Sequence, residues 1–382
     1  MILYLIMQSP FLFGKTVGAG GFTNRTKDMQ RLKDNFANQV NTIIISPRRW
    51  GKSSLVKKMV AGIHGRQTKV VMLDMMGIRN EEGFYKAFAT ATIRATSNKV
   101  EEWIAMGKQF LKNVTPKISI GSDPMQELDI SFEWKSVEKN YQEILNLPEK
   151  IALSKNIQII VCLDEFQSLS GFNEPELFQK RLRTEWQHHT KVCYCLYGSR
   201  QHMMTELFTK QSKAFYKFGE ILYLPKIQRA EWVKFIQQQF NNTKKKISEQ
   251  LAGEIAATVK DHSYYVQQLS HLVWIKTEKT ATENILQDAL EDLLSQNAIL
   301  YSRDTENLTN PQFNFLKALA EGVTKNFSSK EIINRYELGT SANVLKIKKA
   351  LVQKELIDDS GSTIEFLDPA YELWFQKNIQ TV

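Results

Sequence analysis

The stretch Ser46-Pro47-Arg48-Arg49-Trp50-Gly51-Lys52-Ser53 decides the fold. It follows the apolar run Thr42-Ile43-Ile44-Ile45 and leads into Ser54-Leu55-Val56-Lys57-Lys58-Met59-Val60, which reads as a helix. A strand, a loop ending in Gly-Lys-Ser and a helix form the context in which backbone amides cradle phosphates. In that reading Ser46, Pro47, Arg48, Arg49, Trp50, Gly51, Lys52, Ser53 and Ser54 line a nucleotide. Loop N–H groups and the helix N-terminus face the phosphates, Lys52 adds a mobile positive charge, and the Ser53 hydroxyl ligates magnesium. Ser46 stands where the pattern usually opens with glycine, which implies a different turn at the start of the loop.

A second stretch fits the first. Ile157 to Leu163 is an almost continuous apolar run that ends in Asp164-Glu165. Such a run suggests a strand covered on both faces, as in a parallel sheet between helices. Carboxylates at its C-terminal end sit where open α/β sheets bind ligands. Asp164 is the candidate magnesium ligand, and Glu165, pointing the other way, the candidate base that polarises water for attack on a γ-phosphate.

Composition sets the limits. The 382 residues allow two or three domains, and 42% hydrophobic with 24% charged content excludes wholesale disorder. No apolar run reaches the roughly 20 residues that span a bilayer, so no membrane partner is expected. Met1 to Met7 reads as an edge strand or as residues ahead of a start at Met7, and a cytoplasmic location is expected. Cys162, Cys193 and Cys195 lack metal-ligand spacing and read as buried core thiols. His188-His189 reads as a surface pair. The net charge of +9 is concentrated in the first 225 residues, while the last segment is close to neutral.

Residues 41–225 alternate strands with helices, which predicts right-handed crossovers and a mainly parallel sheet. The strands are expected at Thr42–Ile45, Val70–Asp74, Ile157–Leu163, Val192–Leu196 and Glu220–Leu224. Lys117–Ile120 and Leu128–Phe132, joined through Gly121–Pro124, predict an inserted β-hairpin near 117–134. After Pro225 the spacing of Trp232, Phe235, Ile236, Phe240, Leu251, Ile255 and Val259 is helical. Three helices within 311–354, followed by two short strands around Asp358-Asp359-Ser360-Gly361-Ser362, have the layout of a winged helix-turn-helix. The expected domains are a core at 1–225, a helical lid at 226–304 and a winged helix at 305–382.

From Ser9-Pro10-Phe11-Leu12-Phe13-Gly14 to Asp368-Pro369-Ala370-Tyr371-Glu372-Leu373-Trp374-Phe375, the chain resembles the archaeal-type ATPases of the AAA+/STAND division. Pro47-Arg48-Arg49-Trp50-Gly51-Lys52-Ser53 is similar to that family's Walker A loop, and Leu163-Asp164-Glu165-Phe166-Gln167 to its Walker B strand. Phe22-Thr23-Asn24-Arg25 is similar to the box ahead of the core, which implies that Arg25 lies near the adenine. Gly198-Ser199-Arg200 resembles the end of the sensor-1 strand, which implies a hydrogen bond from Ser199 to the attacking water or the γ-phosphate. Lys217 occupies a position where relatives often carry a basic residue, so the resemblance makes it a catalytic candidate, with Arg200 competing. Asp261-His262-Ser263 replaces a Gly-x-Pro near the nucleotide, which puts the lid's response in question.

The resemblance implies an α/β P-loop NTPase fold, ATP and Mg²⁺ as ligands, and ATP hydrolysis that moves the lid and winged helix. A second reading is a nucleotide-gated binding module with little turnover. A protein partner is expected. DNA binding rests on Lys346, Lys348, Lys349 and Lys354 of the third winged-helix helix, against the acidic pair Asp358-Asp359.

Overall fold

The computed structural model describes residues 8–15, 23, 25–63, 67–97, 99–114, 116–120, 128–359 and 361–378. Met1–Met7, Phe22, Asn24, Gly121–Pro124 and Ser360 lie outside the described residues. Contacts divide the chain into two compact units, Arg25–Pro225 and a second made of Met1–Asn24 with Lys226–Val382.

The first unit begins with α1 (Thr26–Ala37), β1 (Thr42–Ile45), α2 (Lys52–Ala61), β2 (Thr68–Asp74), α3 (Glu81–Thr96) and α4 (Val100–Phe110). A hairpin of β3 (Lys117–Ile120) and β4 (Leu128–Ser131) follows, then α5 (Trp134–Leu145) and α6 (Leu147–Lys155). It closes with β5 (Gln158–Asp164), α7 (Pro175–Trp186), β6 (Val192–Gly198), α8 (Gln201–Thr209) and β7 (Glu220–Tyr223). The strand order is β2-β5-β6-β1-β7, and every pair is parallel. All four residues of β1 and all seven of β6 are buried, which is why these strands read as unbroken apolar runs. One face packs on an aromatic cluster in which Phe84 stacks on Phe88 and Trp186 stacks on Tyr194 at 4.2 Å.

The register sets the site. Ile45 pairs with Gly198, and Leu163 with Leu196, so the C-terminal ends of β1, β5 and β6 finish side by side. Residues just past these ends, 46–53, 164–165 and 199, are therefore neighbours. The two hairpin strands pair with Lys117 opposite Ser131 and Ile120 opposite Leu128, and Ile130 is buried in the main core.

The second unit holds α9 (Arg229–Asn242), α10 (Glu249–Thr258), α11 (Ser263–Lys276) and the long α12 (Glu283–Glu306). It continues with α13 (Asn310–Ala320), α14 (Lys330–Arg335), α15 (Ser341–Gln353), the pair β8 (Ile357–Asp358) and β9 (Glu365–Phe366), and α16 (Pro369–Asn378). One hydrophobic cluster runs through all of it. Tyr265 on α11 hydrogen-bonds both Tyr301 on α12 and Asp368 before α16, which fastens the winged helix to the helices ahead of it. The N-terminal segment differs from the expected 1–225 core. Phe11 packs edge-on to Phe235 at 6.1 Å and against Phe240 at 5.8 Å, because an apolar Pro-Phe-Leu-Phe stretch finds its burial on α9.

Candidate nucleotide site

Two loop residues adopt left-handed backbone, Arg49 at φ 63° and Gly51 at φ 94°. Gly51 takes this conformation without strain, whereas Arg49 carries the penalty of a Cβ there. Among the described residues Ser46 is not one of the positive-φ positions, so the first place of this loop does not need glycine. Ser46 is instead 2% exposed, and its carbonyl oxygen accepts from Lys52 Nζ at 3.1 Å. Lys52 Nζ also donates to the Pro47 carbonyl at 3.0 Å, so a buried cation is held over the loop by two backbone oxygens. No side chain caps α2, which leaves its first amides facing the loop.

The Ser53 hydroxyl donates to Asp164 Oδ2 at 2.7 Å. This contact joins the loop to the acidic strand end across 111 residues of sequence. Burial raises the Asp164 carboxyl above its usual range, offset in part by the Ser53 hydrogen bond, with Glu165 and Asp74 adding to the rise.

Glu165 is turned by its own backbone. It sits at φ 51°, left-handed, and its N–H donates to Asp164 Oδ1 at 2.9 Å. That twist sends adjacent carboxylates in different directions. Glu165 Oε2 accepts from Gln167 Nε2, from Ser199 Oγ at 2.9 Å and from the Ser199 N–H at 3.3 Å. Burial pushes the Glu165 carboxyl up, but these hydrogen bonds and the Lys52 charge outweigh it and leave the group below its usual value. The two acids thus hold opposite tendencies one residue apart. Arg48 Nε donates to Ser199 Oγ at 3.3 Å, so the loop, the β6 end and Glu165 form one hydrogen-bonded chain.

Gln167 is a participant that the sequence reading quoted without assigning a role. It is 4% exposed and braces Glu165. Gly198 makes room for it, since a Cβ there would lie 1.8 Å from Gln167 Oε1. The only sequence signal was an amide two residues after the acid.

Arg25 is buried against the loop. It is 5% exposed, and its guanidinium donates to the carbonyls of Trp50 at 2.8 Å and Pro225 at 2.9 Å and to Asp28 at 3.2 Å. Burial lowers its pKa, with Asp28 working in the other direction. Its hydrogen bonds go to the loop's backbone.

Lys217 is not brought to this site. It lies three residues before Glu220, which pairs with Thr42 at the N-terminal end of β1, and the loop begins at the other end. The strand direction therefore separates Lys217 from the pocket of its own chain. It is exposed at φ 53°, its ammonium 5.4 Å from the centre of the Tyr216 ring. Arg200 is exposed immediately after Ser199, just before α8.

All three cysteines are free and buried. His188 is exposed, but His189 is turned inward between Asn146 Oδ1 and the Tyr194 hydroxyl, each at 2.8 Å, which corrects the surface-pair reading. Among the described residues no group of three or more His, Cys, Asp or Glu could hold a metal. No helix among them is long and apolar enough to cross a membrane.

At the turn before α11, Lys260 and Asp261 are both left-handed, at φ 51° and 57°. A glycine would suit position 261, and a proline would suit Ser263 at the first position of α11. Asp261 takes the turn with its carboxylate clamped by Arg229 through 3.1 and 2.9 Å contacts. The backbone shape usually made by Gly-x-Pro is here made by an ion pair.

A parallel five-stranded sheet with a phosphate-type loop after β1 and acids after β5, followed by a winged helix, defines a P-loop NTPase of the AAA+ type. The family model for an ATPase domain found predominantly in Archaea matches residues 22–269, and the chain belongs to that family. A second family model, for a winged helix domain, matches residues 299–377. Among solved structures, the chain is similar to a Walker-type ATPase of Pyrococcus abyssi, with 14% identity, a TM-score of 0.64, and coverage of 93% of this chain and 96% of that one. It is also similar to the ORC2 protein of Aeropyrum pernix in its ADPNP-ADP complexes, with 16% identity, a TM-score of 0.57, and coverage of 94% and 95%. At these identities the likeness speaks to the fold. No curated protein matches the chain.

Proposed function

We propose that the protein binds Mg-ATP at the loop between β1 and α2 and hydrolyses it slowly. The observation that carries this reading is the 2.7 Å contact between Ser53 Oγ and Asp164 Oδ2, with Lys52 and Glu165 around it. Hydroxyl and carboxylate oxygens are the hard donors that magnesium takes, and one or two protein ligands suffice when phosphate oxygens complete the shell. Ser53 and Asp164 would hold the ion, which when bound supplies charge neutralisation at the phosphates. Lys52 leaves two carbonyl oxygens to reach phosphate oxygens, the loop amides and α2 N-terminus bind the rest, and Ser199 and Gln167 fix the carboxylate of Glu165. Held ionised, Glu165 orients and deprotonates the attacking water. Base preference for adenine follows from family membership.

Coupling of the nucleotide state to the lid and winged helix belongs to the same proposal. Arg25, bonded to both the loop and Pro225, supports it by tying the loop to the last residue of the sheet unit. Reduced, buried thiols and dependence on ATP support a cytoplasmic setting. For the winged helix a protein partner is the better reading than DNA. Of the four lysines on or beside α15, Lys348 pairs with Asp359 at 3.1 Å and Lys354 donates to the Asn307 carbonyl at 2.9 Å, while Leu345 is 61% exposed. Lys217 keeps a role only toward a second copy of the chain.

The test is Glu165→Gln. It should keep Mg-ATP affinity within a few fold and lower phosphate release by about 10²-fold or more. Unchanged release would remove Glu165 from the chemistry. Tight ATP binding by the native chain without any phosphate release would favour a switch instead.

A further inference from the structure

Beside the nucleotide site the sheet unit has a cleft of about 590 Å³, with Glu165 on its edge. Three guanidiniums border it: Arg48 from the loop, Arg79 after β2, and Arg200 after β6. Between them lie Met76, Met203 and Phe172, and Met76 is 69% exposed. Phosphate binding at the loop does not explain Arg79, Met76 or Met203, since the loop amides, Lys52 and Ser53 are the elements built for it.

We propose that this cleft docks an acidic peptide segment of a protein partner, one that alternates carboxylates with apolar side chains. Guanidinium groups pair with carboxylates in bidentate fashion and are weakly enough hydrated to do so at an interface. Methionine supplies an adaptable apolar surface, and arginine and methionine are both enriched at protein interfaces. A bare anion would use the arginines and leave Met76 and Met203 idle. A peptide with both kinds of side chain uses the whole lining. Its seat matters because Arg48 donates to Ser199, and Ser199 to Glu165, so a carboxylate on Arg48 adjoins the group assigned to water activation.

The experiment is fluorescence anisotropy of a labelled peptide alternating Glu and Leu, titrated with the full chain. The Glu-Leu peptide should bind at least tenfold more tightly than its Gln-Leu counterpart. Arg79→Glu should weaken that binding at least tenfold while leaving basal Mg-ATP turnover unchanged, and Met76→Asp should weaken it by several fold. Both positions are exposed, so the fold survives either change, and retained turnover reports it. Equal binding of the two peptides, or indifference to Arg79→Glu, overturns the proposal. With the nucleotide site filled by saturating Mg-ATP, so does displacement of the peptide by equimolar tripolyphosphate, which marks a simple anion site, or by a single-stranded oligonucleotide at lower concentration, which marks a nucleic-acid groove.

Discussion

The two ends of the one parallel sheet are built on opposite rules. At the C-terminal end, left-handed residues at 49, 51 and 165 break the regular backbone, set Asp164 against Ser53 and turn Glu165 to Ser199. At the N-terminal end, side chains close the sheet off. Asn41 accepts from the Tyr194 N–H at 2.9 Å and donates to the Phe218 carbonyl, and Glu149 accepts the N–H groups of Thr190 and Lys191 and the Thr190 hydroxyl. His189 is wedged between Asn146 and Tyr194. The difference teaches that strain and unusual polarity collect where strands finish in parallel, because there the helix N-termini and loop amides converge. The start of the same strands is organised for stability.

Substitutions at each end should therefore separate function from folding. The largest effect is expected for Lys52→Ala, which removes a buried cation that forms charge-assisted bonds. Mg-ATP affinity should fall on the order of a thousandfold, about 4 kcal/mol, in isothermal titration. Glu149→Ala should do the reverse. It strands buried donors that a carboxylate had accepted, so thermal or denaturant unfolding should show a loss of about 3 kcal/mol, with turnover per folded molecule unchanged at low temperature. A loss of ATP affinity in that variant would break the contrast.

The next effect depends on pH. Burial pulls the His189 imidazole down to about 4, although Glu149 pulls it up. The unfolded chain titrates near 6.5. Between roughly pH 6.5 and 4 the unfolded state binds a proton that the folded state does not, so stability should fall as pH falls through that window and the loss should end below it. Partial exposure reduces the effect to about 2 kcal/mol. His189→Gln should flatten that slope in melting curves recorded across the window. The smallest effect is expected for Lys217→Ala, on the stability-built end. Phosphate release by dilute protein should stay within about twofold, and a larger drop would place the lysine in its own chain's pocket after all.

Much of this was legible in the sequence. The five parallel strands lie at the five apolar runs, and the central β1, β5 and β6 read as unbroken runs because a strand buried on both faces has no room for alternation. The loop and acids were legible because phosphate and metal chemistry dictates residue types at short spacing. The order β2-β5-β6-β1-β7 was not, since it depends on pairings between distant segments. Neither were the individual braces. Gln167 reaches Glu165 only because residue 165 is left-handed, and no residue type other than glycine announces such a backbone. His189 read as surface because its partners, Asn146 and Tyr194, arrive from other elements. Lys217 was assigned from resemblance, and strand direction placed it at the far end.

The guanidinium of Arg25 has one more consequence. The sheet unit starts at Arg25 and stops at Pro225, and a single hydrogen-bonding group grips both termini. The helical unit draws on chain from before and after this cassette. Bringing those flanks together across a loose loop of roughly 200 residues would cost about 5 kcal/mol in closure entropy. Fastening the two ends of the cassette to one guanidinium removes that cost from the flanking chain.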